Sequence, residues 1–339
     1  MKIRENVPLS ELTTMRLGGP ARYVIEITES REIAEAYKFA DEKDLPVFIL
    51  GSGANTIGRD DGYAGVILLN CLRGIEIISE QGDSLILKGM GGEKWDDFVA
   101  FSTERGYTGI EAMSAIPGTL GAAPVQNIGA YGQEMAQVIE SVEVYNVDKG
   151  AIETIPRAEM EMGYRASIFN RPENKGKYFI ISVIVKLVKG SLKPPFYTSL
   201  QRYIDEHNET DFSPANIRQM VMAVRAAKLP DPAVEASSGS FFKNILLTDA
   251  EADAAEAIGI PVRRSAGGMN KVNSGWLLEE CGLKGRVFHG MRVSEKATLI
   301  LINDAAKSYA DLDAARREIR QLVHEKFGYD LEQEPVEVC

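Results

Sequence analysis

Residues 109–132, GIEAMSAIPGTLGAAPVQNIGAYG, constrain the fold of this chain more than any other stretch, and we call them the seam. From Ala112 to Gly132 the seam carries no charged side chain, whereas a loop exposed to solvent is normally polar. Six of its residues interrupt any regular helix or strand: Pro117, Gly118, Gly121, Pro124, Gly129 and Gly132. The pattern predicts either a backbone that lies against a large flat ligand or a buried crossover between domains.

Polar side chains within the seam favour the ligand. They are Ser114, Thr119, Gln126, Asn127 and Tyr131. Polar groups inside an uncharged segment need hydrogen-bond partners, and a ligand would supply them.

The charge balance and the apolar pattern exclude several classes of partner. With 38 basic and 49 acidic side chains the net charge is −11, so we expect neither nucleic acid nor an anionic membrane surface as partner. No signal core opens the chain and no run of about 18 apolar residues occurs, so neither export nor membrane spanning is indicated. We expect a small-molecule partner and a monomer.

Cysteines and histidines are too few and too scattered for a metal site. They are Cys71, Cys281, Cys339, His207, His289 and His324. None forms a CxxC or Cys/His ligand pattern, so we expect no metal and a reducing, cytoplasmic location.

The first 190 residues read as an α+β domain in two lobes with the seam between them. Residues 22–27 alternate as a strand does, and Ser30–Lys43 has helical spacing with Ser30 as N-cap. Residues 138–147 and 177–189 are predicted to form long antiparallel strands. The Pro-bearing segment 191–197 is a candidate boundary.

A glycine-rich turn, Gly51–Asn55 (GSGAN), follows a short apolar strand at Pro46–Leu50. Such a turn suits a pyrophosphate, because several backbone N–H groups can approach its oxygens where no Cβ intervenes. The turn lacks the GxGxxG pattern, and residues 56–65 read as a loop, so a standard Rossmann site is rejected. A simple tight turn is equally consistent.

Three side chains are candidates for chemistry. Arg165 sits among apolar neighbours in GYRASIF, and a buried guanidinium needs an anion, which could be a structural carboxylate or a ligand. Ser240, in GSFFKN, has no GxSxG elbow, so it is either a turn serine or a proton donor. Glu334 lies in the acidic tail, where a solvated carboxylate is the alternative to one turned inward.

Eight ordered segments resemble the motifs of the UDP-N-acetylenolpyruvoylglucosamine reductase (MurB) family, nearly end to end. They are TTMRLGGPA (13–21), LGSGAN (50–55), IPGTLGAAPVQNIGAYG (116–132), GYRASIF (163–169), RAAKLPDP (225–232), GSFFKN (239–244), SGWLLEECGLKG (274–285) and LEQE (331–334). The chain departs from the family at Ala54, where serine is usual, and at Ile245, where proline is usual.

The resemblance implies an α+β flavoenzyme of the vanillyl-alcohol-oxidase type. Two lobes, 1–70 and 71–212, would hold FAD non-covalently, and a third domain, 213–339, would bind the sugar nucleotide. NADPH would be the co-substrate, and the reaction would reduce the enolpyruvyl ether of UDP-N-acetylglucosamine to UDP-N-acetylmuramate for peptidoglycan synthesis. A related FAD oxidase using oxygen, or a silent sugar-nucleotide-binding protein, is the alternative.

The resemblance also assigns roles to residues. Arg165, Ser240 and Glu334 match the catalytic arginine, the serine proton donor and the catalytic glutamate. Tyr164, Tyr197, Lys228 and Asn244 match substrate-binding residues, and Tyr197 lies in a segment that indicates the longer form of the enzyme. The expected FAD contacts are Gly51, Ser52, Gly53, Ala54, Asn55, Thr56, Ser114, Pro117, Gly118, Gly121, Ala122, Gln126, Asn127, Gly129, Ala130 and Tyr131.

Overall fold

The computed structural model describes residues 1–265 and 269–339. These residues form two compact units. The larger unit comprises 1–7, 21–52 and 64–227, and the smaller comprises 8–20, 53–63 and 228–339. The predicted division into 1–70, 71–212 and 213–339 stays a prediction.

The larger unit contains two main sheets. The first, in the order β1-β2-β5-β3, is formed by β1 (Lys2–Pro8), β2 (Pro20–Ile27), β3 (Val47–Leu50) and β5 (Tyr63–Asn70), and β3 runs parallel to β5. The helix α1 (Arg31–Asp41) buries Ile33, Ala36, Tyr37 and Ala40. Their spacing gives one apolar face for the core.

The second sheet has the order β12-β11-β13-β7-β6, with β8 also paired to β13, and each of these pairings is antiparallel. Its strands are β6 (Ile75–Gln81), β7 (Ser84–Met90), β8 (Tyr107–Thr108), β11 (Ile139–Asn146), β12 (Ala151–Pro156) and β13 (Tyr178–Lys189). The helices α2 (Trp95–Thr103), α3 (Thr198–His207) and α4 (Pro214–Lys228) and the short strands β9 (Gly129–Ala130) and β10 (Gln133–Glu134) complete this part of the chain. Buried side chains of α2, β7, β13 and the seam share one core.

The smaller unit is built from short strands and three helices. One sheet has the order β14-β20-β19-β18, a second β15-β17-β16, and β21 pairs in parallel with β4. These strands are β4 (Thr56–Gly58), β14 (Ser237–Ser240), β15 (Ile245–Leu247), β16 (Val262–Arg263), β17 (Asn270–Val272), β18 (Val287–Phe288), β19 (Met291–Val293), β20 (Ile300–Asn303) and β21 (Val336–Val338). The helices are α5 (Asp249–Ala257), α6 (Ser274–Glu280) and α7 (Tyr309–Phe327).

One local prediction is wrong, and a second is correct in position only. Residues 56–65 are not a loop throughout, because Thr56–Gly58 form β4, whose partner β21 lies at the far end of the chain. Ser30 occupies the N-cap of α1, but its side chain makes no capping hydrogen bond. The Glu32 carboxylate instead accepts the N–H groups of Thr28 and Glu29 at 2.8 and 3.1 Å, which lowers the pKa of Glu32 to about 2.

Among the described residues no helix is long and apolar enough to cross a membrane. In the same part of the chain no group of three or more His, Cys, Asp or Glu side chains could hold a metal ion.

Candidate functional site

Backbone strain is concentrated in and around the seam of the larger unit. Ala115, Asn127 and Tyr131 in the seam, and Arg165 beyond it, have φ of 58°, 44°, 49° and 54°. Residues other than glycine rarely adopt this left-handed conformation, which costs about 1–3 kcal/mol at each position and persists only where surrounding contacts enforce it. The contacts that enforce it define the site.

Ala115 is held by the carboxylate of Asp96, in the first turn of α2. The Oδ1 atom of Asp96 accepts the N–H of Ala115 at 2.6 Å, and both carboxylate oxygens accept the guanidinium of Arg218 on α4, at 2.5 and 2.8 Å. Burial alone would raise the pKa of Asp96, but these hydrogen bonds hold it below its usual value. The start of the seam is thus tied to α2 and α4.

Tyr131 forms the tip of a hairpin between β9 and β10. Tyr131 and Gly132 both have positive φ, 49° and 92°, which is the pattern of a type I′ turn. The Tyr131 ring meets the Tyr197 ring edge to face at 5.6 Å, and its hydroxyl is hydrogen-bonded to Arg225 of α4. Burial raises the pKa of Tyr131 and lowers that of Arg225. A seven-residue spacing places Arg218 and Arg225 on one face of α4, so this face supports the seam near both ends.

The seam also anchors the turn that carries Arg165. The amide of Asn127 donates to the carbonyl of Gly163 at 3.0 Å and accepts the N–H of Ala136 at 2.8 Å. Beyond the turn, the Ser167 hydroxyl donates to the carbonyl of Val125 at 2.7 Å. These contacts fix the position of Arg165 relative to the seam.

Arg165 occupies the third position of a tight turn. The N–H of Gly163 donates to the carbonyl of Ala166 at 2.9 Å, and the N–H of Ala166 donates to the carbonyl of Gly163 at 3.4 Å. The positive φ at this third position is the pattern of a type II turn, which normally requires glycine or asparagine. The guanidinium lies 5.5 Å from the centre of the Tyr164 ring. Position 165 therefore carries an arginine although its backbone conformation favours glycine or asparagine.

The structure also shows where the seam backbone is open. A β-carbon built on Gly118, whose φ is 149°, or on Gly132 would meet no heavy atom within 4 Å. By contrast Gly121 packs directly on Gly91, whose carbonyl accepts its N–H at 2.7 Å. Backbone without side chains at the half-buried Gly118 and the exposed Gly132 fits a flat cofactor such as FAD.

The protein itself satisfies two polar groups that were interpreted as ligand partners. The Ser114 hydroxyl donates to the carbonyl of Glu111 at 2.6 Å, and both ends of the Asn127 amide are engaged. These two side chains are thus no evidence for a ligand.

Only part of the phosphate turn lies in the larger unit. Gly51 and Ser52 belong to it, whereas Gly53, Ala54, Asn55 and Thr56 belong to the smaller unit. Gly53 has a φ of 68°, and a β-carbon there would lie 2.0 Å from the Leu12 carbonyl oxygen. Close packing therefore requires glycine at position 53.

In the smaller unit the tail segment that carries Glu334 is hydrogen-bonded to the residues that follow Ser240. The N–H of Glu334 donates to the carbonyl of Phe241 at 2.9 Å, and Phe242 pairs with Gln333 in an antiparallel bridge. Ser240 ends β14, where a register shift against β20 coincides with a φ of 70° at Gly239. Ser240 and Glu334 are both half-buried.

The other tail glutamates are engaged elsewhere. Glu332 is exposed and forms an ion pair with Lys243, and Glu337 forms ion pairs with Arg316 and Arg59.

Known proteins match this chain over nearly its whole length. The family model of the FAD binding domain matches residues 21–155, and that of the UDP-N-acetylenolpyruvoylglucosamine reductase C-terminal domain matches residues 231–338. The UDP-N-acetylenolpyruvoylglucosamine reductase of Burkholderia orbicola is 35% identical over 333 residues, which cover 97% of this chain and 95% of the relative. That of Burkholderia lata is 36% identical with the same coverage. The chain belongs to the UDP-N-acetylenolpyruvoylglucosamine reductase family.

Solved structures agree on the fold. The MurB enzyme of Thermus caldophilus matches with a TM-score of 0.67 over 99% of both chains, at 23% identity. A VAO-type flavoprotein of Myceliophthora thermophila matches with a TM-score of 0.52 over 95% of this chain and 73% of that one, at 11% identity. The predicted α+β fold with a VAO-type FAD-binding part is confirmed.

Family membership confirms the predicted FAD-dependent oxidoreductase, and the roles of single residues stay predictions. The predicted catalytic and substrate-binding residues are divided between the two units. The smaller unit contains Ser240, Glu334, Lys228 and Asn244, and the larger contains Arg165, Tyr164 and Tyr197. Asn244 accepts the N–H of Ser274 at 3.2 Å, at the start of α6, and Lys228 ends α4.

Sequence reasoning missed the residues that support the site. Asp96, Arg218 and Arg225 are not identifiable from the sequence, because acidic residues in a first helical turn and arginines on a helix are ordinary features. The seven-residue spacing of the two arginines is the one available signal.

Proposed function

We propose that this chain reduces UDP-N-acetylglucosamine enolpyruvate to UDP-N-acetylmuramate, with NADPH as electron donor and FAD as carrier, in peptidoglycan synthesis. The observation that carries the proposal is the match to UDP-N-acetylenolpyruvoylglucosamine reductases over 97% of the chain. The open seam backbone and the strained, anchored Arg165 support it independently.

Bound FAD supplies a two-electron carrier between NADPH and the enolpyruvyl double bond. The residues expected to hold it are the phosphate turn at 51–56 and the seam. Backbone N–H groups of the turn bind phosphate oxygens where glycines allow close approach. The seam would supply uncharged backbone against the flavin and would exclude water there.

Arg165 binds the substrate carboxylate and stabilises the negative charge that spreads onto it when the double bond is reduced. A guanidinium can form two parallel hydrogen bonds to a carboxylate, and fixed donors of this kind stabilise developing charge without reorganising. The anchored turn fixes the backbone from which the Arg165 side chain extends. Tyr197, Lys228 and Asn244 are proposed to bind the diphosphate of the substrate.

Ser240 is proposed to donate the proton that completes the reduction, and Glu334 to assist this transfer. A serine hydroxyl is a weak acid, so its neighbours must orient it and stabilise the alkoxide it leaves. Of the tail glutamates, Glu334 is favoured for this role because it is half-buried and its N–H donates to the carbonyl of Phe241, the residue after Ser240, whereas Glu332 is exposed. Its neighbouring position beside Phe241 is consistent with action on the same substrate.

Separate measurement of the two half-reactions tests the proposal. In the Ser240→Ala variant, reduction of bound FAD by NADPH should stay within about twofold of wild type. Its reoxidation by the enolpyruvyl substrate without oxygen should slow by about a thousandfold, since only this half needs the proton. Ser238→Ala is a matched control, because this buried hydroxyl on the same strand makes no hydrogen bond within the described residues.

Other outcomes would identify the alternatives. Equal slowing of both halves would make Ser240 structural. Flavin that is reoxidised by oxygen but not by the enolpyruvyl ether would indicate an oxidase, and absence of NADPH consumption would indicate a binding protein.

We also propose that the protein is a monomer, that it is located in the cytoplasm, and that it has three domains, at 1–70, 71–212 and 213–339. Light scattering of the purified protein tests the oligomeric state.

A further inference from the structure

Arg316, on α7, holds the tail of the smaller unit through several hydrogen bonds. Its Nη1 atom donates to Gln333 Oε1 at 2.6 Å and to Glu337 Oε1 at 2.8 Å, and its Nη2 atom contacts the Tyr309 hydroxyl at 3.3 Å and the Asp313 carboxylate. Burial opposes the charge of Arg316, but these acceptors outweigh it and raise its pKa. The side chain is only 18% exposed. The Arg316 guanidinium is therefore held in one position and stays protonated.

The Gln333 side chain connects Arg316 to the backbone next to Glu334. Since its Oε1 atom accepts from Arg316, its Nε2 atom faces the other way and donates to the carbonyl of Pro335 at 2.8 Å. Gln333 and Pro335 are the two residues that flank Glu334 in the sequence. Their link therefore closes a small loop around Glu334.

The backbone on the other side of this loop is hydrogen-bonded to the segment that follows Ser240. The N–H of Lys243 donates to the carbonyl of Glu332 at 2.9 Å, and the N–H of Glu334 donates to the carbonyl of Phe241 at 2.9 Å. These bonds set the register of the tail, whereas the Gln333–Pro335 link sets the path of the chain through Glu334. The two sets of contacts together restrain the Glu334 backbone from both sides.

We propose that Arg316 is a positioning residue for Glu334 and acts through Gln333. The inference rests on the proposed catalytic role of Glu334. Nothing in this arrangement requires Arg316 to touch substrate or cofactor. Its effect is to keep the Glu334 carboxylate where proton transfer needs it, and small displacements of a catalytic group are expected to cost up to about a hundredfold in rate.

Gln333→Glu is the sharpest test, because it keeps the acceptor for Arg316 and removes the Nε2 donor, which serves the Pro335 carbonyl at 2.8 Å and Glu337 Oε1 at 3.4 Å. A carboxylate at position 333 still accepts from Arg316, but it has no donor for the Pro335 carbonyl and repels it. We expect the variant to fold, to reduce its flavin with NADPH at the wild-type rate, and to reoxidise it with the enolpyruvyl substrate about 10- to 100-fold more slowly. The apparent affinity for substrate should change less than the rate. Arg316→Lys should also slow the reoxidation of the flavin by the substrate, since one ammonium cannot replace the planar guanidinium.

Arg317→Ala is the matched control. Arg317 is the next residue on α7, is 76% exposed and pairs with Asp313, so it shares the helix and the carboxylate but makes none of the contacts to Gln333. This variant should keep the wild-type rate of substrate-dependent reoxidation.

Glu334→Gln separates the inference from the function on which it rests. If Glu334 is catalytic and Gln333 acts through it, adding Gln333→Glu to Glu334→Gln should slow the reaction no further. Two results would overturn the inference. One is a double variant whose rate is reduced by the product of the two single reductions, and the other is a wild-type rate in Gln333→Glu while Glu334→Gln is slow. A wild-type rate in Glu334→Gln would instead refute the catalytic role of Glu334.

Discussion

The hydroxyl oxygen of Thr119 occupies the space where a side chain on Gly51 would begin. A β-carbon built on Gly51 would lie 2.4 Å from Thr119 Oγ1, and its next neighbours are the other side-chain atoms of the same threonine, at 3.5 and 3.6 Å. Gly51 opens the phosphate turn and Thr119 lies within the seam. The two segments with the strongest sequence signals for FAD thus meet in the larger unit.

Gly51→Ala should destabilise the protein. A contact of 2.4 Å forces a shift, and the branched Thr119 side chain is buried and stiff, so we expect a loss of about 1–3 kcal/mol in the free energy of unfolding. The affinity of the apoprotein for FAD should fall as well. Urea denaturation and fluorescence titration with FAD measure the two effects.

The double variant Gly51→Ala, Thr119→Ala provides the control. Removing the hydroxyl and methyl of Thr119 leaves its β-carbon at an ordinary contact distance of 3.5 Å. Stability should therefore recover relative to Gly51→Ala alone. Purely additive losses would show that the contact between the two residues is not the cause.

Asp96→Asn should weaken the hold on the start of the seam. The asparagine can still accept the Ala115 N–H but loses the charge that pairs with Arg218, and we expect a loss of about 1–3 kcal/mol. The pKa of Asp96 is lowered in the folded protein, so its contribution is complete above the ordinary value of 3.8 and is lost as the pH falls below it.

The stability difference between wild type and Asp96→Asn should therefore shrink in acid. Thermal denaturation at several pH values between 6 and about 3 measures it. A difference that stays constant down to the lowest pH would show that the charge of Asp96 has no role.

Much of the fold is predictable from local pattern. The long antiparallel strands expected at 138–147 and 177–189 correspond to β11 and β13, and the helical spacing of residues 30–43 corresponds to α1. Such segments carry enough alternation or helical spacing to identify themselves. β4 carries no such signal, because three residues become a strand only through their partner β21, near residue 339.

The candidate site shows the same division. Arg165, Ser240 and Glu334 are recognisable from short motifs, whereas their supports come from remote positions. Asp96 and Arg218 lie 122 residues apart, and the contact exists only because α2 and α4 pack on one seam. Tertiary contacts of this kind leave no local pattern to read.

FAD should bind without a covalent bond. Cys71 is the one cysteine in the first 190 residues, and burial raises the pKa of its thiol, which lowers its reactivity at neutral pH. Acid precipitation of the protein should leave the yellow flavin in the supernatant. Flavin retained in the pellet would contradict this expectation.

Arg165→Gly should separate stability from activity. Glycine adopts a φ of 54° without the penalty of a side chain, so relief of strain should offset the lost contacts of Arg165 and leave the free energy of unfolding equal to wild type or about 1 kcal/mol higher. The variant should nevertheless lose most substrate-dependent reoxidation of its flavin. Arg165→Lys should keep the strain and still react slowly, because it lacks the two-pronged grip on a carboxylate.

Glu161→Gly is the matched control for backbone strain. Glu161 has a φ of 48°, lies four residues before Arg165 and is exposed, with an ion pair to Arg171 on the surface. Its replacement should change stability in the same direction as Arg165→Gly, because surface ion pairs contribute only about 0–1 kcal/mol, and should leave the reaction intact. If Arg165→Gly proves strongly destabilising where Glu161→Gly is not, then Arg165 forms a structural ion pair. The strain of its turn would then serve folding, and the substrate carboxylate would need another partner.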